Sequence, residues 1–253
     1  MIRVTIIGSG NVAQHLIQAF SKTAAVELVQ VFSRQPKAVS DLVPAAKIIS
    51  DFSKLQTVDA IIIAVTDNAI AEVSNQIPLE HQLVAHTSGS VAMEGLSAKN
   101  RRGVFYPLQT FSKSKAVDFK VIPICLETEE ATDFKMLETL AESISNVSYK
   151  VNSEQRKALH VAAVFVSNFV NHLYQMGQDI CTENKLDFEI LKPLIQETAH
   201  KILTLSPKEA QTGPAKRQDT ETINAHLSFL TDEHQKEIYK LLTKSIIDNG
   251  KKL

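Results

Sequence analysis

Tryptophan is absent from the 253-residue sequence, cysteine occurs twice, and glycine and proline eight times each. Cys125 and Cys181 form no CxxC pair. That excludes a disulfide framework and a thiolate zinc site, and it fits a reducing cytoplasm. So little Gly and Pro argues against a disordered or low-complexity chain. Charge of neither sign prevails: 27 Lys and Arg stand against 28 Asp and Glu, balanced in both halves. A nucleic-acid or anionic-membrane partner is therefore not expected. Long hydrophobic runs are missing too. The longest, residues 158–170, is broken by His160, Ser167 and Asn168 and falls short of the roughly 20 residues that span a bilayer. The first residues enter an apolar strand without the charged region and cleavage site of a secretory signal. His200, His226 and His234 lack ligand spacing, so no metal site is expected.

What is present is a change of pattern near residue 151. Before it, short apolar β-branched runs at residues 4–7, 28–32, 60–65, 83–85, 104–106 and 121–126 alternate with helical patterns at 12–22, 69–76 and 132–145. Unbroken apolar runs are strands covered on both faces, and their alternation with helices predicts an α/β, doubly wound, mainly parallel Rossmann sheet. After it, helical patterns dominate at 154–178, 188–205 and 231–248, with Asp187 and Thr231 as expected N-caps. The expected organisation is a dinucleotide-binding domain over residues 1–150 and an all-helical domain over 151–253.

Gly8-Ser9-Gly10-Asn11-Val12-Ala13 matches G-x-G-x-x-A between the first strand and the first helix. Gly8 allows a tight turn and Gly10 lets a pyrophosphate approach the backbone. Ala13 lets helix and strand pack closely, and the helix start offers free N–H groups. An NAD enzyme usually carries Asp or Glu at the end of the second strand, to bind the ribose hydroxyls. Here Ser33 and Arg34 stand there, a hydroxyl and a guanidinium fork suited to a 2′-phosphate, so NADP is the expected cofactor. Ligands of such sheets bind beyond the carboxyl ends of the strands. That adds Ala64, Val65 and Thr66 as cofactor contacts, with capping of the next helix as the other reading of Thr66 and Asp67. It also adds the polar run His86-Thr87-Ser88-Gly89-Ser90, in which Thr87 and Ser88 would meet cofactor and Ser88 and Gly89 substrate.

These motifs, together with Tyr106-Pro107-Leu108-Gln109-Thr110-Phe111 and Thr212-Gly213-Pro214-Ala215-Lys216-Arg217-Gln218-Asp219, resemble the Rossmann-like family whose helical C-terminal part is known only as a domain of unknown function. That family sits beside the pyrroline-carboxylate reductases, deazaflavin-dependent NADP reductases, ketopantoate reductases and 6-phosphogluconate dehydrogenase-type enzymes. The resemblance spans nearly the whole chain. It implies an NADP-linked oxidoreductase with a dimerising helical domain, and names no substrate. Where that family more often reads His-Pro-Leu-Gln, this sequence has Tyr106 before Pro107, which puts a catalytic ring there in doubt.

On a 100° helical wheel Lys157, His160, Val164, Asn168, Asn171 and Gln175 form a polar stripe on a helix that is otherwise apolar, and so expected to be buried. A wet cleft wall is one explanation and a structural hydrogen-bond network the other. The expected function is reduction of a small, anionic oxo acid or imine by NADPH in a cleft between the domains. His160 or Lys157 would deliver the proton, Asn168 would orient the carbonyl, and Gln109 and Arg217 would hold substrate. Lys216 and Arg217, with Asp219 to orient one of them, read equally well as a rigid turn. A non-enzymatic NADP-binding sensor is the competing expectation.

Overall fold

The computed structural model describes residues 1–251, which form two compact units that divide between Ser167 and Asn168. In the first unit β1 (Ile2–Ile7), α1 (Asn11–Ser21), β2 (Val26–Phe32), β3 (Ile48–Ile49), β4 (Ala60–Ile63), α2 (Ile70–Gln76) and β5 (Leu83–His86) alternate as expected. They are followed by β6 (Arg101–Pro107), β7 (Ile124–Thr128), α3 (Ala131–Glu142), β8 (Ser148–Lys150) and α4 (Ser153–Ala163). The strands form one sheet in the order β3-β2-β1-β4-β5-β6-β7-β8, parallel throughout except where β6 meets β7. The chain reverses direction across the sheet between β1 and β4, so the carboxyl ends of those strands open a crevice.

Two-sided burial explains the unbroken apolar runs. Val4 and Ile6 of β1 and Ala60 and Ile62 of β4 pack with Leu16, Ile17 and Phe20 of α1. Ile7, Ile61 and Ile63 point the other way, into a cluster with Ile70 and Ile77. Successive strand residues face opposite sides, so each strand feeds both cores.

The boundary expected at residue 151 falls instead at Ser167/Asn168. The physical reason is Arg156, a fully buried side chain on α4. Its Nη1 pairs with Glu127 of β7, Nε donates to the Ser88 carbonyl (3.1 Å), and Nη2 to the Val91 carbonyl (2.5 Å). Glu127 also accepts from Ser153 N–H (2.8 Å) and Oγ. A buried guanidinium with its donors met ties the first turns of α4 to the sheet. The helix opens with a capping box, in which the Asn152 side chain accepts from Gln155 N–H and the Gln155 side chain from Asn152 N–H.

Residues Val164–Phe169 form a π turn. A π turn is wider than an α turn, so residues after Val164 leave the 100° wheel that grouped Asn168, Asn171 and Gln175 with Lys157 and His160. The polar stripe is therefore not continuous. The expected burial of this helix is not met within the chain either: Val161, Phe165 and Val166 are exposed.

The second unit consists of α5 (Val170–Glu183), α6 (Lys192–Lys201), α7 (Pro207–Ala210), α8 (Pro214–Arg217), α9 (Thr220–Phe229) and α10 (Glu233–Lys251). Asp187 caps the turn Phe188–Leu191 as expected, but α10 is capped by Asp232, whose carboxylate accepts from Gln235 N–H (2.8 Å), and not by Thr231. The stretch read as one irregular connection contains α7 and α8. Among the described residues of this unit only Cys181, Ala215 and Gln235 are buried, while Ile190, Leu203 and Leu241 are 68%, 78% and 69% exposed. No helix of the described residues is long and apolar enough to cross a membrane.

Arg156→Met leaves the partly buried Glu127 without its partner. It is expected to destabilise the fold by about 3–5 kcal/mol, measured as a lower urea midpoint, with the double change Arg156→Met/Glu127→Gln less damaging than the sum of the single ones.

Candidate functional site

At the carboxyl ends of β1, β2 and β4 lies a cavity of about 490 Å³. Its walls include Gly8, Ser9, Gly10, Asn11, Val12, Ser33, Arg34, Ala64, Val65 and Thr66, so the structure brings these expected cofactor residues together. Gly8 has φ +137°, and a Cβ there would lie 2.1 Å from the Ala64 carbonyl oxygen. Both facts exclude any other residue. Gly10 stands at the N-cap of α1 without a side-chain cap, no acid occupies the first turn, and a Cβ at Gly10 would meet open space. The first N–H groups of α1 are thus left for an anion. The Gln14 side chain holds this loop by donating to the carbonyls of Ser9 (2.9 Å) and Ala38 (3.1 Å).

Ser33 is buried and its Oγ accepts from Gln35 N–H (3.1 Å), so its own proton is still available. Arg34 is exposed at the cavity edge. The acid in the lining, Glu72, lies on α2, where the Gln76 amide donates to it. Thr66 makes no capping bond, which removes the capping reading of that side chain.

The run after β5 has a different role from the one expected. Ser88 Oγ accepts from the N–H groups of Ser90 and Val91 (3.0 Å each), and Thr87 Oγ1 donates to the Ile63 carbonyl (3.4 Å). His86 Nδ1 accepts from Ser88 N–H (3.1 Å). None of these residues lines the cavity. Thr87 and Ser88 use their hydroxyls to shape a buried turn outside this cavity. Gln109 is exposed, its Oε1 accepting from the adjoining Thr110 N–H (2.8 Å).

Gly89 is the exception. A Cβ on it would lie 2.5 Å from His160 Nδ1 and 2.8 Å from Tyr106 Cζ, so two rings rest on bare backbone. The Tyr106 hydroxyl is 3.1 Å from His160 Nδ1. Burial pushes the Tyr106 phenol up to about 12, with Arg156 pulling the other way. Lys157 is exposed one turn earlier on α4. Asn168 and Arg217 belong to the second unit, where both are exposed. Asp219 caps α9 by accepting from Thr222 N–H (3.0 Å), with Arg217 at 3.9 Å, which favours the rigid-turn reading of that loop. His15 is satisfied against the Ser112 carbonyl (3.0 Å), and His172 is exposed. No group of His, Cys, Asp and Glu suited to a metal occurs among the described residues.

Sequence reasoning missed Arg156 and Glu127, and it left Tyr106 without a role. The available signal was a lone Arg one turn before His160 on an otherwise uncharged helix face.

Residues 3–88 match the family described as NADP oxidoreductase, coenzyme F420-dependent, and residues 122–246 match the domain of unknown function DUF2520. A crystal structure titled as a putative NADP oxidoreductase of Bacteroides fragilis is 38% identical over 98% of both chains, with a TM-score of 0.88. A protein of Thermotoga maritima is 21% identical over 98% of both chains, with a TM-score of 0.76. The pyrroline carboxylate reductase of Plasmodium falciparum, solved with NADP bound, is 14% identical over 97% of this chain and 98% of that one, with a TM-score of 0.61, which shows a shared fold. No curated protein matches the chain. The chain belongs to the family that joins a Rossmann-like NADP oxidoreductase domain to a DUF2520 helical domain.

The buried imidazole of His86 gives a pH dependence. Desolvation lowers it from 6.5 to about 4, with the Arg156 charge adding to the effect. Between those values the unfolded chain takes up a proton that the folded one refuses. The stability from keeping His86 neutral is full above pH 6.5, falls as pH drops through the window, and levels off below about 4. Its size is at most about 3 kcal/mol. Urea midpoints are expected to fall with pH over that window, and less steeply for His86→Gln.

Proposed function

We propose that the protein is an NADP(H)-dependent oxidoreductase that reduces a small oxo acid or imine. The end of β2 carries the reading: Ser33 and Arg34 edge the cavity where an NAD enzyme would place an acid, beside an uncapped helix N-terminus. In this reading the N–H groups after Gly10 hold the pyrophosphate, and Ser33 and Arg34 hold the 2′-phosphate. When bound, the reduced nicotinamide supplies a hydride. His160 supplies the proton, and the reading needs no contribution from Lys157, Asn168 or Arg217. A sensor that binds NADP(H) without turnover is the competing reading. The Tyr106–His160 pair over Gly89 favours an enzyme, because a sensor needs no such acid.

NADPH is expected to bind at least about tenfold more tightly than NADH, the scale of one charge-assisted hydrogen bond, and Arg34→Ala to remove most of the difference. Calorimetric titration checks it, and equal or tighter binding of NADH overturns the assignment. A panel of oxo acids and imines, followed at the nicotinamide absorbance, then identifies the substrate.

The proposal extends to assembly as a homodimer through the helical unit. Three buried residues do not make a core, and the exposed Ile190, Leu203 and Leu241 need a partner surface. Sedimentation is expected to give a mass near twice 28.0 kDa. A monomer at micromolar concentration would overturn this part of the reading.

A further inference from the structure

Tyr106 and His160 come from different elements, β6 and α4, and meet over Gly89. Their ring centroids are 6.1 Å apart at 65°, an edge-on approach that suits the hydroxyl-to-nitrogen contact of 3.1 Å. Neither ring is free to drift. Tyr106 is 8% exposed and pairs across the sheet with Cys125, while Arg156 fixes the first turns of α4 against the turn that contains Gly89. His160 is half-buried and so is the member of the pair that a ligand can reach.

The direction of the hydrogen bond follows from counting protons. A phenol has one, and among the described residues the Tyr106 hydroxyl has no hydrogen-bond partner other than His160 Nδ1. A buried donor left unmade costs about 1–3 kcal/mol. Tyr106 therefore donates and Nδ1 accepts, which leaves the imidazole proton on Nε2.

We propose that Tyr106 is a positioning residue that holds His160 in its Nε2–H tautomer and backs it as a proton relay, with His160 as the catalytic acid. This rests on the oxidoreductase reading above. As the substrate's carbonyl or imine carbon accepts the hydride, the π pair moves onto oxygen or nitrogen, and that atom takes the Nε2 proton. The pair left on Nε2 is neutralised as the Tyr106 proton passes to Nδ1, so the negative charge comes to rest on the phenolate oxygen. Water then returns a proton to it. The relay spares the imidazole from becoming an anion; burial opposes the phenolate, and the Arg156 charge offsets part of that. An alcohol or amine is a weaker acid than a phenol, so the transfer runs in the direction of reduction.

The test starts with the native full chain labelled with ¹⁵N-histidine, without cofactor, in alkaline buffer. Long-range ¹H–¹⁵N correlation spectra report the tautomer, with His160 assigned by the signals lost in His160→Gln. The expected pattern is a protonated Nε2 and an unprotonated Nδ1 in the native chain, giving way to a mixture in Tyr106→Phe, which keeps the ring and loses the hydroxyl. An Nδ1–H tautomer in the native chain overturns the proposal whether or not the variant folds. An unchanged tautomer in folded Tyr106→Phe overturns it as well. With a substrate in hand, both variants are expected to keep NADPH affinity and to lose turnover, His160→Gln by about 100-fold or more, with the double variant no slower than His160→Gln. Loss in Tyr106→Phe only in proportion to unfolded protein overturns the relay. Failure of the native chain to bind NADPH overturns the oxidoreductase reading instead, and leaves the tautomer result standing.

Discussion

The ion pair of the fully buried Arg156 with Glu127 is the constraint on which the arrangement around Gly89 depends. A guanidinium removed from water must have its N–H groups met, and here they are met by Glu127, Ser88, Val91 and Ser153. Those partners come from β7, from the turn after β5 and from α4 itself. One side chain thus fixes three elements to one another, and the turn that it fixes carries Gly89. The placement of His160 one turn later on α4 follows, and so does its distance from Tyr106. The same charge also helps to keep His86 neutral below the sheet end.

Much of the first unit could be read in the sequence because its signals are local or periodic. Gly8 to Ala13 lies between a strand and a helix, and the apolar runs of β1, β4 and β5 have the continuity that two-sided burial demands. Even the absence of an acid after β2 is a local fact. What escaped were pairings between distant residues. Arg156 and Glu127 are 29 residues apart, and Tyr106 and His160 are 54 apart. No spacing rule links such positions. The polar density of the turn after β5 has a local use that spacing does not show: the Ser88 and Thr87 hydroxyls bond neighbouring backbone.

The helical wheel failed for a different reason. It assumes a uniform 100° per residue, and the π turn Val164–Phe169 breaks that assumption in the middle of the polar stripe. Nothing in the composition of that turn marks it as irregular. His160 survived as a candidate because it precedes the break, whereas Asn168, Asn171 and Gln175 follow it. The boundary between the compact units falls within the same turn.

The two units also differ in how their apolar surface is satisfied. In the first, the sheet has a core on each face, so its runs of Ile and Val are covered within the unit. In the second, Leu186, Leu194 and Phe229 are exposed along with the residues named above. Burying one such side chain is worth about 1.5–3 kcal/mol, so a handful of them left in water matches the net stability of an entire domain, about 5–15 kcal/mol. Helix propensity cannot supply that difference, since isolated helices of this length are marginal in water. In the homodimer proposed above, a second copy of the chain would cover the same faces on both partners at once. It would return twice the burial for each apolar residue that the sequence retains, which is the physical reason for preferring a homodimer to a small apolar ligand as the occupant of these helices.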